Sequence, residues 1–225
     1  MRRVAAVFLI ACGCVGGNGD DEPPPAASLV REGTTPAVVR TGDLDGDGVP
    51  ELTVASVGQE RGASGFGTPY LEVFARAGDE WVRVLDGTEQ APAGPGTPDR
   101  MLLPQTGEFA VGQAVDVLEL SDLDGDGSRE MVAAVATFGA SAGPVELWIV
   151  EMTPAGDFRT AFYMATERGG EVTVERDRVS IEFGVYRKND PGCCPSSFEV
   201  RTIGHDPERD AIDVLDRERH PAEAT

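Results

Sequence analysis

The sequence predicts a mainly β protein made of tandem antiparallel, blade-like β units with DxDxDG loops, arranged as a partial propeller or in a β-sandwich-like way. Short strand-like segments recur between Gly, Pro and Asp turns, and one acidic string occurs twice. No stretch after residue 11 shows a sustained helical period. The segments with strand character are residues 37–41, 51–57, 70–76, 81–86, 115–120, 130–136, 145–150, 159–165, 171–175, 179–187, 198–204 and 211–216.

Charge limits the classes of partner. The 225 residues include 39 acidic and 19 Lys or Arg side chains, for a formal net charge of −20. Nucleic-acid binding needs clustered basic residues, so we expect no nucleic-acid partner. The hydrophobic content of 40% suffices for a folded core. The excess of carboxylates makes cations the first candidate partners.

The N-terminus predicts a secretion signal. Two arginines precede the apolar residues 4–11, a run far shorter than the roughly 20 residues that span a bilayer. We therefore expect residues 1–11 to be a signal peptide. The string Leu9-Ile10-Ala11-Cys12 resembles the lipobox of bacterial lipoproteins, which implies cleavage before Cys12 and lipidation of its sulfur. An ordinary signal peptide with an incidental cysteine, or a buried N-terminal strand, is the alternative.

Residues 12–34 are rich in Gly, Pro and acidic side chains, and they predict a flexible tether between an anchor and a β-repeat domain at 35–220. The lipoprotein resemblance implies an extracytoplasmic protein anchored in the membrane of a bacterial cell envelope. Disulfides persist in such an environment.

The domain contains an internal duplication. Asp43–Gly48 is DLDGDG, and the same string returns at Asp122–Gly127, 79 residues later. Because the similarity extends into the flanking strands, we expect repeat 1 at about 36–90 and repeat 2 at about 115–167.

The repeated string has the chemistry of a site for a hard cation. Alternate Asp carboxylates can converge on one ion if glycines let the chain turn tightly, and calcium prefers oxygen ligands. The alternative is an Asx-rich turn without metal, in which the clustered carboxylates would repel one another. The candidate ligands are Asp43, Asp45, Asp47, the Val49 carbonyl and Glu51 in the first loop, and Asp122, Asp124, Asp126, the Ser128 carbonyl and Glu130 in the second.

An EF-hand does not fit, because Val54 and Ala133 stand where its twelfth-position glutamate belongs, and strands follow both loops. The loops resemble the D-x-D-x-D-G-x-x-D calcium loops of FG-GAP/VCBS repeats, the β-hairpin units of integrin α-subunit propellers. Glu51 and Glu130 replace the final Asp of that pattern. The resemblance implies Ca²⁺ as the cofactor.

A third, diverged unit at about 168–219 lacks the acidic loop and contains the string DPGCCPS at 190–196. This string is similar to a hairpin tip of other small bacterial lipoproteins. We expect Cys193 and Cys194 to form a structural vicinal disulfide, with free thiols, other pairings or a redox role as alternatives.

Recognisable catalytic patterns are absent from the sequence. Its two histidines, His205 and His220, lie in polar surroundings, and there is no G-x-S-x-G, H-E-x-x-H or phosphate-binding loop. We therefore predict a non-catalytic, calcium-binding, lipid-anchored module for protein or glycan binding. A structural envelope lipoprotein that uses calcium only for stability, and an extracytoplasmic hydrolase, are the alternatives.

Overall fold

A computed structural model describes residues 23–58, 69–84, 113–137, 143–152, 157–191 and 194–222. These residues form antiparallel strands and one short 3₁₀ turn, Ala26–Ser28, which confirms the mainly β class. They contain no helix with the length and apolar character of a membrane span. The predicted signal peptide and residues 12–22 of the predicted tether lie outside the described residues. The strands are β1 (Thr34–Gly42), β2 (Glu51–Gly58), β3 (Pro69–Ala77), β4 (Glu80–Arg83), β5 (Gln113–Ser121), β6 (Glu130–Thr137), β7 (Val145–Met152), β8 (Phe158–Ala165), β9 (Glu171–Val174), β10 (Val179–Val185), β11 (Ser197–Asp206) and β12 (Ala211–Pro221).

The described strands make three four-stranded sheets, each with its strands in chain order. Sheet 1 is β1–β4, sheet 2 is β5–β8 and sheet 3 is β9–β12, and all neighbouring strands pair antiparallel. Each segment predicted from the sequence overlaps one of these strands, because Gly, Pro and Asp turns separate nearly all of them.

Sheets 1 and 2 share a structural detail as well as a sequence repeat. The pairing of β1 with β2 slips between Pro36 and Val38, and that of β5 with β6 slips between Val115 and Val117. These irregularities occupy equivalent positions in the two repeats. In sheet 3 a short turn, closed by a 2.9 Å hydrogen bond from Glu175 N–H to the Arg178 carbonyl, replaces the acidic loop.

Sheet 2 lies between the other two sheets and is buried on both faces. Alternate residues of a strand point to opposite faces, so neighbouring residues of β6 and β7 enter different cores. Between sheets 1 and 2 the core includes Leu44, Leu71, Val73, Met131, Ala133, Trp148 and Val150. Between sheets 2 and 3 it includes Leu123, Val132, Leu147, Ile149, Val179, Ile181 and Ile203. This explains the continuous burial at the start of β6.

The outer face of sheet 1 is covered by the segment that precedes β1. Ala26, Leu29 and Val30 pack against an apolar patch of sheet 1, made by Leu52, Val54, Phe74 and Trp81. The predicted tether, residues 12–34, therefore extends too far, since the packed domain starts by Ala26. Among the described residues no other sheet covers this face of sheet 1, and a few apolar side chains of the segment cover it instead.

The same segment contributes to a buried ionic group. Glu72, 1% exposed, lies 3.4 Å from Arg31 Nε and 3.0 Å from Arg83 Nη2, and it accepts a 3.2 Å hydrogen bond from Ser56 Oγ. A buried carboxylate needs such partners, so Arg31 ties the N-terminal segment to sheet 1 by charge as well as by packing.

Candidate metal-binding loops

The first acidic loop joins β1 to β2 and gathers three carboxylates. Asp43, Asp45 and Glu51 each place one carboxylate oxygen within 4.8 Å of the others. Glu51, the first residue of β2, is 2% exposed, and its Oε2 accepts the Leu44 N–H at 2.7 Å. Leu44 is itself buried in the core between sheets 1 and 2. A buried leucine and a buried glutamate therefore hold the two ends of the loop.

Backbone hydrogen bonds to Asp43 shape the turn. Its Oδ1 accepts the Gly46 N–H at 2.8 Å, and its Oδ2 accepts the Gly48 N–H at 3.0 Å. Both glycines have left-handed backbones, with φ of 77° and 85°. Other residues adopt this conformation only at a cost, which explains why the string alternates Asp with Gly at its centre.

The second acidic loop joins β5 to β6 and repeats this geometry. Asp122, Asp124 and Glu130 form the second group of carboxylate oxygens within 4.8 Å. Glu130 is 2% exposed and accepts the Leu123 N–H at 2.6 Å. Leu123 is buried in the core between sheets 2 and 3. The buried leucine of the first loop therefore lies in the core on one face of sheet 2, and that of the second loop lies in the core on the other face.

The third aspartate of each loop lies outside the three-carboxylate group. Asp47 Oδ1 accepts the Val49 N–H at 2.6 Å, and Asp126 Oδ1 accepts the Ser128 N–H at 2.8 Å and the Ser128 hydroxyl. The structure therefore brings together three of the four predicted carboxylates in each loop. Val49 and Ser128 act here as hydrogen-bond donors, and the role of their carbonyls stays a prediction.

Burial and neighbouring negative charges raise the pKa of both loop glutamates, Glu51 and Glu130. Burial raises the pKa of Glu51 to about 7, with the Asp45, Asp47 and Asp43 charges adding to the effect and the Leu44 N–H opposing it. Burial likewise raises the pKa of Glu130 to about 8, with added repulsion chiefly from Asp124 and Glu151. Both loops therefore concentrate negative charge at a cost that a bound cation would offset.

The two loops differ at the position after the third aspartate. Ser128 donates both its hydroxyl and its N–H to Asp126, and these hydrogen bonds lower the pKa of the Asp126 carboxyl. Val49 has no hydroxyl and gives Asp47 only its N–H. In the first loop, burial raises the pKa of Asp45. The two loops are thus similar in geometry but not in electrostatics.

The donor set determines which ions the loops suit. Each group consists of carboxylate oxygens alone, without His or Cys, and could hold a metal ion. Hard cations such as calcium and magnesium prefer oxygen ligands, whereas zinc sites typically use His nitrogen and Cys sulfur. The residues therefore fit a hard divalent cation.

Sequence reasoning missed that the two loops touch. Arg129 N–H, next to Glu130, donates a 2.8 Å hydrogen bond to the Asp43 carbonyl, and a Cβ on Gly42 would lie 2.9 Å from Arg129 Cδ. Arg40 of β1 pairs with Glu119 of β5, at the equivalent position of the other repeat. The opposite charges at these equivalent positions were a possible signal, but only packing shows that they meet. A cavity of about 470 Å³ is shared by both loops.

The other predicted site residues are three cysteines. Cys12 and Cys193 are outside the described residues, so lipidation and the vicinal disulfide stay predictions. Cys194 is exposed, and its N–H bonds the Pro191 carbonyl at 3.0 Å. Asp190 shapes this hairpin tip, because its Oδ2 accepts the N–H groups of Arg187 and Ser196 at 2.7 and 2.9 Å.

The histidines both lie in sheet 3. His205 Nε2 is 3.3 Å from Asp210 Oδ1, and the His220 ring stacks on Phe198 with centroids 5.7 Å apart. Neither residue belongs to the carboxylate groups of the acidic loops.

Comparison with known proteins gives no match, either in a scan against protein-family models or in a search of curated proteins. The functional inference therefore depends on the geometry of the two loops and on the sequence patterns around them.

Proposed function

We propose that this protein is a non-catalytic, calcium-binding β-repeat module whose two acidic loops each take one Ca²⁺ ion. One observation carries the proposal: equivalent loops of two sheets each converge two aspartates and a buried glutamate on one point. An Asx-rich turn needs no buried carboxylate, so Glu51 and Glu130 favour the metal-binding interpretation.

Calcium suits these loops better than magnesium. Calcium accepts six to eight oxygens in irregular arrangements, whereas magnesium requires near-octahedral geometry and keeps several waters. The exposed Asp47 and Asp126 adjoin the two groups and would supply further oxygens after a side-chain rotation.

The chemistry that calcium supplies here is structural. An ion held by Glu51 would keep Leu44 in the core between sheets 1 and 2, because the two residues share a hydrogen bond. Glu130 and Leu123 have the same relation on the other face of sheet 2. Since the clustered carboxylates are ligands, none remains as a general base, which supports a non-catalytic role.

The proposed location and partner come from the sequence. The lipobox-like Leu9-Ile10-Ala11-Cys12 supports a lipid anchor in a bacterial envelope, and the FG-GAP/VCBS resemblance supports a protein or glycan ligand. Changing Cys12 to Ser is expected to move the protein from the membrane fraction to the soluble fraction, and retention in the membrane would contradict the anchor.

Thermal unfolding of the mature chain in millimolar calcium, magnesium or chelator tests the metal sites. A site filled at about 100 times its Kd stabilises by roughly 2.7 kcal/mol, which corresponds to several degrees in Tm. We expect the calcium shift to disappear in the double variant Asp43→Asn, Asp122→Asn and to persist in the control Asp79→Asn, an exposed turn residue. Equal Tm values in calcium and chelator, or a shift that survives the double variant, would contradict the proposal.

A further inference from the structure

Sheet 3 carries an unusual group of arginines on the face that packs against sheet 2. Arg201 of β11 lies directly opposite Arg217 of β12, and the neighbouring pair on the same face is Glu199 with Arg219. Directly opposite residues of an antiparallel pair share a face, and like charges there are unfavourable. Two of these arginines, Arg201 and Arg219, pair with Glu199, in a protein whose net charge is −20.

Glu199 holds two of these arginines in place. Its side chain is 8% exposed, Oε1 accepts Arg201 Nε at 2.7 Å, and Oε2 accepts Arg219 Nη2. The hydrogen bonds from Arg219 and Arg201 hold the pKa of the Glu199 carboxyl below its usual range. Among the described residues, neither guanidinium makes another hydrogen bond, so several N–H groups of each remain for a ligand.

The two guanidinium groups line a cavity of about 240 Å³ at one end of the core between sheets 2 and 3. Arg201 lies over the Phe183 ring, with its Cζ 5.0 Å from the ring centroid. This cation–π contact and the bond to Glu199 restrain the guanidinium group before any ligand arrives, which lowers the entropic cost of binding. Tyr186 also lines the cavity, as does one further acidic side chain, Glu167.

We propose that this arginine cavity binds a compact oxyanion, a carboxylate or sulfate group, between the unused N–H groups of Arg201 and Arg219. Guanidinium groups offer paired donors that match the oxygens of such anions. The volume suits one anionic group or a small sugar acid and is below the usual range for drug-sized ligands. The charged side chains that line the cavity are two arginines, Arg201 and Arg219, and two glutamates, so recognition of the anion rests on the guanidinium donors and not on net charge.

Isothermal titration of the intact folded chain with sodium sulfate and with sodium glucuronate, at constant ionic strength, tests the cavity. The buffer is metal-free, so that calcium cannot bridge an anion to the acidic loops. We expect saturable binding that weakens as sodium chloride is raised. In Arg219→Gln, which removes an exposed partner of the anion, the Kd should rise about tenfold, as for the loss of one charge-assisted hydrogen bond.

The matched control is Arg178→Gln. Arg178 is a comparably exposed arginine of sheet 3 that pairs with Asp177 in the turn between β9 and β10. Its substitution should leave anion affinity unchanged. Arg219→Lys keeps the charge but loses the fork of donors, and we expect an affinity between those of the wild type and Arg219→Gln.

Each result decides the question. Binding of glucuronate alone identifies a carboxylate ligand, binding of sulfate alone identifies a tetrahedral anion, and binding of both supports a general oxyanion site. Absence of saturable binding, or equal affinity in wild type and Arg219→Gln, would overturn the proposal and leave the arginines as an ion-pair network. Since no calcium is present, neither outcome bears on the acidic loops.

Discussion

Among single residues, Glu51 and Glu130 determine the character of the acidic loops. Each starts a strand, is 2% exposed, and accepts the N–H of a buried leucine. A buried carboxylate beside other carboxylates is unfavourable unless a positive charge is present. The same side chain is therefore costly to the metal-free protein and favourable as a ligand.

This double role predicts that Glu130→Gln has effects of opposite sign. In chelator at neutral pH the variant should be more stable than the wild type by about 1 kcal/mol. Gln removes the cost of burying a carboxyl whose pKa is raised to about 8, while an acceptor for the Leu123 N–H remains. In calcium it should be less stable than the wild type by a similar amount. Urea unfolding in both conditions measures the two differences.

Glu80→Gln is the control for this pair of measurements, since Glu80 is exposed at the start of β4. It should change stability little in either condition. A Glu130→Gln variant that is destabilised equally in chelator and in calcium would contradict the ligand role.

At the scale of elements, turn residues and strand-like segments made the strands and the mainly β class predictable, but not the way the sheets stack. The predicted segments match the strands because Gly, Pro and Asp separate them, and local turn chemistry depends on neighbouring residues only. The acidic loops were predictable for the same reason. The convergence of Asp43, Asp45 and Glu51, without Asp47, was not, because side-chain rotation within the loop is not encoded in residue spacing.

The loop glycines give a prediction for this scale. Gly48 has φ of 85°, and no atom lies within 4 Å of a Cβ placed there, so Gly48→Ala adds backbone strain without a clash. We expect a loss of about 1 kcal/mol in chelator and, in addition, weaker calcium binding, because the turn that brings Asp43 to its site is strained. Calorimetric calcium titration and thermal unfolding measure the two effects.

Gly33→Ala separates strain from metal binding. Gly33 has φ of 78°, is equally open, and lies before β1, outside the acidic loops. It should lose similar stability while keeping the calcium affinity of the wild type. Equal losses of calcium affinity in both variants would show that the glycine effect does not act through the loop.

On the scale of the whole molecule, the stacking of three sheets determines which apolar sheet faces are buried by a neighbouring sheet and which must be buried by another segment. Sheet 2 is covered by its neighbours, whereas the outer face of sheet 1 is covered by Ala26, Leu29 and Val30. Arg31 adds an ionic contact to the buried Glu72. The segment before β1 is therefore part of the folded domain.

Truncation tests this conclusion. A chain that starts at residue 34 should be less stable than one that starts at residue 23 by about 2 kcal/mol or more, because the apolar patch of sheet 1 becomes exposed and Glu72 loses Arg31. Urea unfolding of the two chains, which share the twelve strands of the described residues, measures the difference. Identical unfolding midpoints would show that the segment contributes no stability.

The sequence by itself determined the features that depend on neighbouring residues: the strands, the turns between them, the duplication and the two acidic loops. Side-chain periodicity and the turn preferences of glycine and aspartate act over a few residues, so they can be recognised from the sequence alone. Only the tertiary structure decided that the loops of the two repeats touch through Arg129 and Asp43, that the N-terminal segment covers sheet 1, and that Arg201 and Arg219 share one cavity. These contacts join residues far apart in the chain, and the packing of whole sheets against one another creates them.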